Sequence, residues 1–247
     1  MIDPFAQIDA LAKQLKEIER ERDNALQLYV RSLSEKQKLE KKCQKLEELC
    51  NTDQLTEIGN RRHLITEWRR TFSLMERDSS RKNTILLLDV DRFKEINTRF
   101  GYGTGDTALV LLAKALTSSI RPSDIIARLG GDEFVVILEE TPKEKAAHRW
   151  LDINQVFSER LWESTYDKHR EALPNIGTSC GIVEFQHSDI TSWIERGEKR
   201  EQEGLPMPDS IGALLAEAET CLQQSKLNGK NRATWKDEGH WRYKAFP

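Results

Sequence analysis

The sequence predicts an α+β chain, with a long helical stalk followed by a domain of helices packed on strands. Three observations predict it. Apolar residues keep one heptad register from Ile8 to Cys50, with no Gly and, after Pro4, no Pro. Residues Thr84 to Asp91 form a continuous apolar run that ends in acids, the pattern of a strand covered on both faces. Two short apolar runs, Ile125–Ala127 and Phe134–Leu138, flank Gly130-Gly131-Asp132-Glu133 in the manner of a β-hairpin.

A chain of 247 residues can hold one sizeable domain and an appendage. The formal net charge of −3 gives no reason to expect broad binding to nucleic acid. No apolar run approaches the ~20 residues of a membrane span. Met1-Ile2-Asp3-Pro4-Phe5 lacks the basic region and apolar core of a signal peptide. The cysteines, Cys43, Cys50, Cys180 and Cys221, show no C-x-x-C metal spacing. A cytoplasmic protein with reduced thiols is the simplest expectation.

In the stalk, Ile8, Leu15, Arg22, Tyr29, Lys36, Cys43 and Cys50 take the a positions. Leu11, Ile18, Ala25, Ser32, Leu39 and Leu46 take the d positions. The seam is apolar at its ends and weak at Arg22, Ala25, Ser32 and Lys36. A parallel coiled-coil dimer and a single helix folded back on the domain both suit this pattern; the unbroken register favours the dimer. Leu26, Val30 and Leu33 form a second apolar stripe off the seam. It suits either docking of a regulatory protein or a locally re-registered coil.

Asn51-Thr52-Asp53 offers capping side chains where the heptads stop. Asp53-Gln54-Leu55-Thr56 and Asn60-Arg61-Arg62 follow, then a helix from about Arg61 to Arg77 with Leu64, Trp68, Phe72 and Met75 on one face. In the first strand, residues 84–91, a period of two puts Asp89 and Asp91 on one face. Acids at a strand exit can bind Mg²⁺, which takes a few carboxylates plus substrate phosphates, or can simply end the strand. Arg92-Phe93-Lys94-Glu95-Ile96-Asn97 and Gly101-Tyr102-Gly103-Thr104-Gly105-Asp106 lead into an amphipathic helix, Asp106–Ile120.

Arg121-Pro122-Ser123-Asp124, with five residues between it and Gly130, reads on its own as a commonplace surface turn. At the hairpin tip the glycines allow close backbone approach or positive φ, and the acids could face a metal-bound phosphate. An ordinary solvated tip is the alternative. Pro142 to about Tyr166 reads as a helix and Asn175–Phe185 as a strand. Residues 186–210 read as an insertion loop with a short helix around Trp193. The last helix, Ile211–Leu227, ends in the cationic stretch Lys226 to Arg232, with Gly229 as its stop.

These stretches, in this order and spacing, resemble the GGDEF family, the diguanylate cyclases. The resemblance covers about residues 53–236, giving a stalk at 1–52 and a GGDEF domain at 53–247. It implies a ferredoxin-like, nucleotide-cyclase palm core, with a central antiparallel sheet flanked by helices. It implies condensation of two GTP into cyclic di-GMP and two pyrophosphates by a homodimer using Mg²⁺ or Mn²⁺. Carried over residue by residue, the metal ligands are Asp89, the Val90 carbonyl and Asp132, with Glu133 serving metal binding or proton transfer. Asn97 and Asp106 read guanine. Phe93, Lys94, Gly130, Gly131, Lys226 and Lys230 line the phosphates. Arg121 and Asp124 form an inhibitory site for the product.

The chain departs from the family at Thr98 and Tyr102, where Asp and His are common, and at Lys230, which replaces Arg and loses the bidentate fork. The alternative, an inactive cyclic di-GMP receptor or scaffold, would be signalled by loss of an active-site acid. Asp89, Asp132 and Glu133 are all present. The absence of a recognisable sensor segment directs attention to control by a partner protein, and the implied setting is the bacterial cytoplasm.

Overall fold

The computed structural model describes residues 4–169, 176–195 and 208–246. It divides into two units, Met1–Cys50 and Asn51–Pro247. The first is carried by helix α1, Pro4–Asn51. In the single chain Leu11, Leu15, Ile18, Tyr29, Leu39 and Leu46 are all exposed on it. Such a helix draws little stability from itself, because helices in proteins are held mainly by burial of an apolar face. No described helix is long and apolar enough to cross a membrane.

The second unit contains β1 (Gly59–Asn60), α2 (Arg61–Arg77), β2 (Asn83–Val90), α3 (Phe93–Phe100), α4 (Tyr102–Ser119), β3 (Ile125–Gly130) and β4 (Glu133–Leu138). It continues with α5 (Lys143–His169), β5 (Thr178–Phe185), α6 (His187–Glu195), α7 (Asp209–Leu227), β6 (Arg232–Asp237) and β7 (His240–Ala245). The strands form one seven-stranded sheet in the order β1-β3-β4-β2-β5-β6-β7.

The α+β class and the antiparallel centre match the sequence expectation. Strands β3, β4, β2 and β5 pair antiparallel. The margins differ, since β1 joins β3 and β6 joins β5 in parallel. Helices α6 and α7 lie between β5 and β6, and a helical crossover returns the chain in the same direction.

Strand β2 is buried on both faces because helices cover both sides of the sheet. Leu86, Leu88 and Val90 join one core, with Ile96 of α3, Leu109, Leu112 and Leu116 of α4, and Trp150 and Phe157 of α5. Ile85 and Leu87 join the other, with Leu64 and Trp68 of α2, Ile190 of α6, and Leu214 and Leu222 of α7. This alternation decides where Asp89 emerges: on the α7 side, at the end of the strand.

Several boundaries differ from the sequence reading. Phe93–Phe100 is a helix in its own right. Helix α4 starts at Tyr102, so Asp106 lies inside it rather than at its entry. Asp91 lies just beyond β2. The β6–β7 hairpin follows the last predicted helix and was not anticipated. Within the stretch expected as an insertion loop, the short helix expected around Trp193 is present as α6, whose Ile190 is fully buried; residues 196–207 lie outside the described residues. So does Asn175, the expected start of β5.

Gly181 seats α7 on β5. A Cβ there would run into Ala218 O and Leu222 N, both backbone atoms of α7. Because backbone cannot yield as a side chain can, Gly181→Ala is expected to cost about 3 kcal/mol in chemical denaturation.

Candidate active site

The loops at one end of β2 and β4 bring the acids together. Asp89 and Glu133 are directly opposed across the β2–β4 ladder, so their side chains share a face. Asp132 precedes Glu133 in the turn, and its carbonyl accepts from Val90 N at 3.4 Å. The turn needs positive φ at both glycines, +151° at Gly130 and +53° at Gly131. A register shift between Arg128 and Gly130 widens it.

Lys226, in the last turn of α7, reaches this end of the sheet. Its Nζ lies 2.8 Å from Asp89 Oδ2. Burial lowers the pKa of the Lys226 ammonium, but the hydrogen bond to Asp89 and that group's charge outweigh it, so the pKa lies above its ordinary value. Burial raises the Asp132 carboxyl, and the Asp89 charge raises it further. Two carboxylates close enough to repel each other make a place suited to a cation.

Among the described residues no group of three or more His, Cys, Asp or Glu is placed to hold a metal ion. That does not suit a resident metal with an all-protein ligand set. It does suit Mg²⁺ or Mn²⁺, which bind through one or two carboxylates plus waters and substrate phosphates.

Asn97 and Asp106 lie on α3 and α4, the helix pair after β2. Asn97 Oδ1 is buried and accepts no hydrogen bond from described residues. An unmet buried acceptor costs free energy unless a ligand donates to it. Gly105 lies against this amide: a Cβ there would run into Asn97 Oδ1. Gly105→Ala is therefore expected to turn the Asn97 amide aside. Asp106, the residue after Gly105 in α4, is exposed. Phe93 packs against the core beside Gly105, whereas Lys94 is exposed.

Lys230 is exposed in the loop after α7 and takes φ +65°, followed by Asn231 at +47°. Non-glycine residues in this region need outside support, and a buried polar network supplies it. Asn231 N donates to Asp91 Oδ2 at 2.7 Å, and Ser179 Oγ donates to Asp91 Oδ1 at 2.7 Å. Asn231 Oδ1 accepts from Asn154 Nδ2 at 2.8 Å. Asn154 Oδ1 in turn accepts from Thr178 N at 2.7 Å, and Trp150 Nε1 donates to Thr178 Oγ1 at 3.0 Å. Both Asp91 oxygens are thus engaged in the fold, and its carboxyl is raised above its usual range, first by burial. Asp91 lies on the face of Asp89, as the strand pattern predicts, since Ser179, the residue opposite Asp89 on β5, donates to it; but both of its oxygens are taken up by the fold.

Sequence reasoning missed Asn154. Its signal was present, since it follows Trp150 by four residues and so lies on the inward face of α5. Arg128 was missed as well. Its Nη1 pairs with Asp53 Oδ1 at 3.0 Å, while Nε and Nη2 donate to Gly131 O at 3.0 and 2.7 Å. One guanidinium therefore links the Asp53 turn to the Gly-Gly turn. Asp53 also accepts from Thr56 N and Oγ1. Burial raises the Asp53 carboxyl, but those bonds and Arg128 outweigh it and hold it below its usual range. Asn60 caps α2, accepting from Arg62 N and His63 N.

Arg121 and Asp124 are brought together elsewhere, in the turn between α4 and β3. Asp124 Oδ2 accepts from Arg121 N at 2.9 Å and Oδ1 from Glu139 N at 3.1 Å. The Arg121 side chain is exposed.

A diguanylate cyclase of Vibrio cholerae is 30% identical over 189 residues, which is 76% of this chain and 50% of that protein. The chain spans between 27% and 50% of the length of the first curated relatives it matches. Among solved structures, the coiled coil and GGDEF domain of DgcB from Caulobacter crescentus, in complex with c-di-GMP, aligns with a TM-score of 0.65 at 23% identity. The alignment covers 83% of this chain and 95% of that one. Diguanylate cyclase SiaD from Pseudomonas aeruginosa, in complex with its activator SiaC, aligns with a TM-score of 0.56 at 23% identity, over 94% and 84%. At that identity these two likenesses carry the fold. The family described as diguanylate cyclase, GGDEF domain, matches residues 50–203, well over half of the chain. This chain belongs to the GGDEF family.

Proposed function

We propose that the chain is a diguanylate cyclase that joins two GTP into cyclic di-GMP and releases two pyrophosphates. The observation that carries the reading is the meeting of Asp89, Asp132 and Lys226 beside the Gly130-Gly131 turn, together with the unmet buried acceptor of Asn97 on α3. Asp89, the Val90 carbonyl and Asp132 would hold Mg²⁺ or Mn²⁺, which activates the 3′-hydroxyl and stabilises charge on the phosphates. Glu133, opposed to Asp89, serves that ion or takes the proton.

Asn97 and Asp106 orient guanine through its edge, and Asp106 accepts from N1–H and the 2-amino group. The Gly130-Gly131 backbone lets the triphosphate approach closely. Phe93 and Lys94, at the start of α3, with Lys226 and Lys230, draw in its charge. Most of the rate comes from this positioning and electrostatics.

One domain holds one GTP, so two chains must face each other. The exposed apolar positions of α1 fit a homodimeric coiled coil, which raises the effective concentration of the second site. Leu26, Val30 and Leu33, also exposed, suit a regulatory protein on the stalk, and the SiaD–SiaC complex shows that a protein of this fold has an activator. A cytoplasmic location suits a GTP-dependent enzyme. The test is pyrophosphate release per chain as protein concentration rises. It is expected to climb through the range in which the stalk pairs and then to level off; a rate per chain independent of concentration while the protein dissociates would contradict the dimer.

Arg121 and Asp124 would bind the product. Asp124 fixes the turn through two backbone amides and leaves the Arg121 fork to meet phosphate or guanine. Arg121→Ala is expected to relieve product inhibition about tenfold, read as the cyclic di-GMP concentration that halves the initial rate, with little change in that rate without product.

A further inference from the structure

We propose that Lys226 is the resident cation of the metal-binding carboxylates, and that its displacement from Asp89 couples entry of the divalent ion to binding of the nucleotide triphosphate. The inference rests on the reading that Asp89 is a metal ligand, and it adds an order to the binding. Lys226 Nζ sits 2.8 Å from Asp89 Oδ2, with the carboxylate side chain 13% exposed and the lysine 37% exposed. The pair is a close, partly shielded contact in the place a divalent ion would take.

The backbone beneath Lys226 is fixed. Its neighbour Ser225 is fully buried, donating to Cys180 O at 2.7 Å and lying 2.7 Å from Thr234 Oγ1. Gly181 holds α7 close to β5 one turn earlier. Movement is therefore left to the flexible lysine stem, whose ammonium is a mobile point charge.

The donor set explains why the exchange would need the nucleotide. The described residues offer no cluster of three or more metal-ligating side chains. A divalent ion arriving alone would gain a small set of protein oxygens and would leave Lys226 without its carboxylate. A triphosphate supplies the missing oxygens and also gives the ammonium a new anionic partner. The lysine then passes from carboxylate to phosphate as the ion takes the carboxylate. By linkage, the factor by which nucleotide tightens the ion equals the factor by which the ion tightens nucleotide.

The test measures Mn²⁺ binding to the full chain by the electron paramagnetic resonance of free Mn²⁺, with and without a GTP analogue carrying a methylene between the α- and β-phosphorus. In the wild type the analogue is expected to tighten Mn²⁺ about tenfold or more. Lys226→Met is expected to bind Mn²⁺ alone about tenfold tighter than the wild type, with a correspondingly smaller effect of the analogue. Lys226→Arg, which keeps the charge, is expected to retain weak binding of Mn²⁺ alone, separating charge from disturbance of the helix. If Lys226→Met fails to fold, Lys226→Gln takes its place with the same expectation. Mn²⁺ affinity without nucleotide that is unchanged in the neutral variant would overturn the proposal. Asp89→Asn separates the two readings: wild-type Mn²⁺ binding in that variant, with the analogue present, would mean that Asp89 is not a ligand and would remove the metal assignment itself.

Discussion

Replacing Asp132 by Asn is expected to lower turnover about a thousandfold and to raise the thermal midpoint of the nucleotide-free protein by about 2 °C. The two effects share one cause. Asp132 is partly buried close to Asp89, so its charge is unfavourable in the folded chain until a cation and phosphates arrive. The amide removes the repulsion and also removes a ligand. The sign of the pH dependence follows. The folded carboxyl has a raised pKa, so on raising the pH the unfolded chain releases this proton first. The stability is fully present below the ordinary carboxylate range of about pH 4 and is lost as pH rises through the raised folded value. The stability gap between Asp132→Asn and wild type is therefore expected to open above that range and to close below it. Thermal unfolding in nucleotide-free buffer at several pH values measures it; a variant less stable than wild type at neutral pH would contradict the electrostatic account.

Arg128→Met is expected to destabilise the domain by about 3 kcal/mol in urea unfolding and to reduce turnover about a hundredfold. The guanidinium satisfies Asp53 on one side and the Gly131 carbonyl on the other. Its loss leaves a partly buried carboxylate without its cation and removes both side-chain hydrogen bonds to Gly131 O. The Gly-Gly turn would then wander at the point where the acids must be held to a fraction of an ångström. Arg128→Lys is not expected to rescue, because an ammonium cannot span both partners with a planar fork. Asp53 supplies the pH signature. Its folded pKa is lowered, so its stabilisation is present above the unfolded carboxylate value and is lost as pH falls through the folded one. Arg128→Met is expected to weaken that acid sensitivity, because Arg128 is one of its causes.

What the sequence made legible was what local rules govern. The buried run Thr84–Leu88 and the hairpin around Gly130-Gly131 show their strand pairing in apolar pattern and glycine placement. Helices α2, α5 and α7 announced themselves by spacing. The antiparallel centre followed from the resemblance, whereas the parallel margins depend on where a crossover lands, which no local pattern records. The β6–β7 hairpin escaped for a different reason. Its strand β7 is mostly exposed, with Trp241 and Tyr243 on the surface, so it lacks the buried alternation that marks a strand.

The candidate site divides in the same way. Motif residues such as Asp89, Asn97, Asp132 and Lys226 stand out because short signatures carry them. Arg128, Asn154 and Asp91 act through partners far away in sequence, Asp53, Asn231 and Ser179, and such pairings form only in the folded chain. Asp91 illustrates both sides: period-two reasoning placed it on the face of Asp89, which its bond from Ser179 fits, but no local pattern records that Asn231 N and Ser179 Oγ engage both its oxygens.

Product identity is the most direct measurement. The full chain is incubated with GTP and Mg²⁺ over a range of protein concentrations, and the nucleotides are resolved by chromatography beside Asp132→Asn. Cyclic di-GMP from the wild type, with two pyrophosphates for each product, and none from the variant is the expected result. Absence of cyclic di-GMP from the wild type at every concentration, including a chain whose α1 seam has been strengthened to force pairing, would contradict the cyclase assignment.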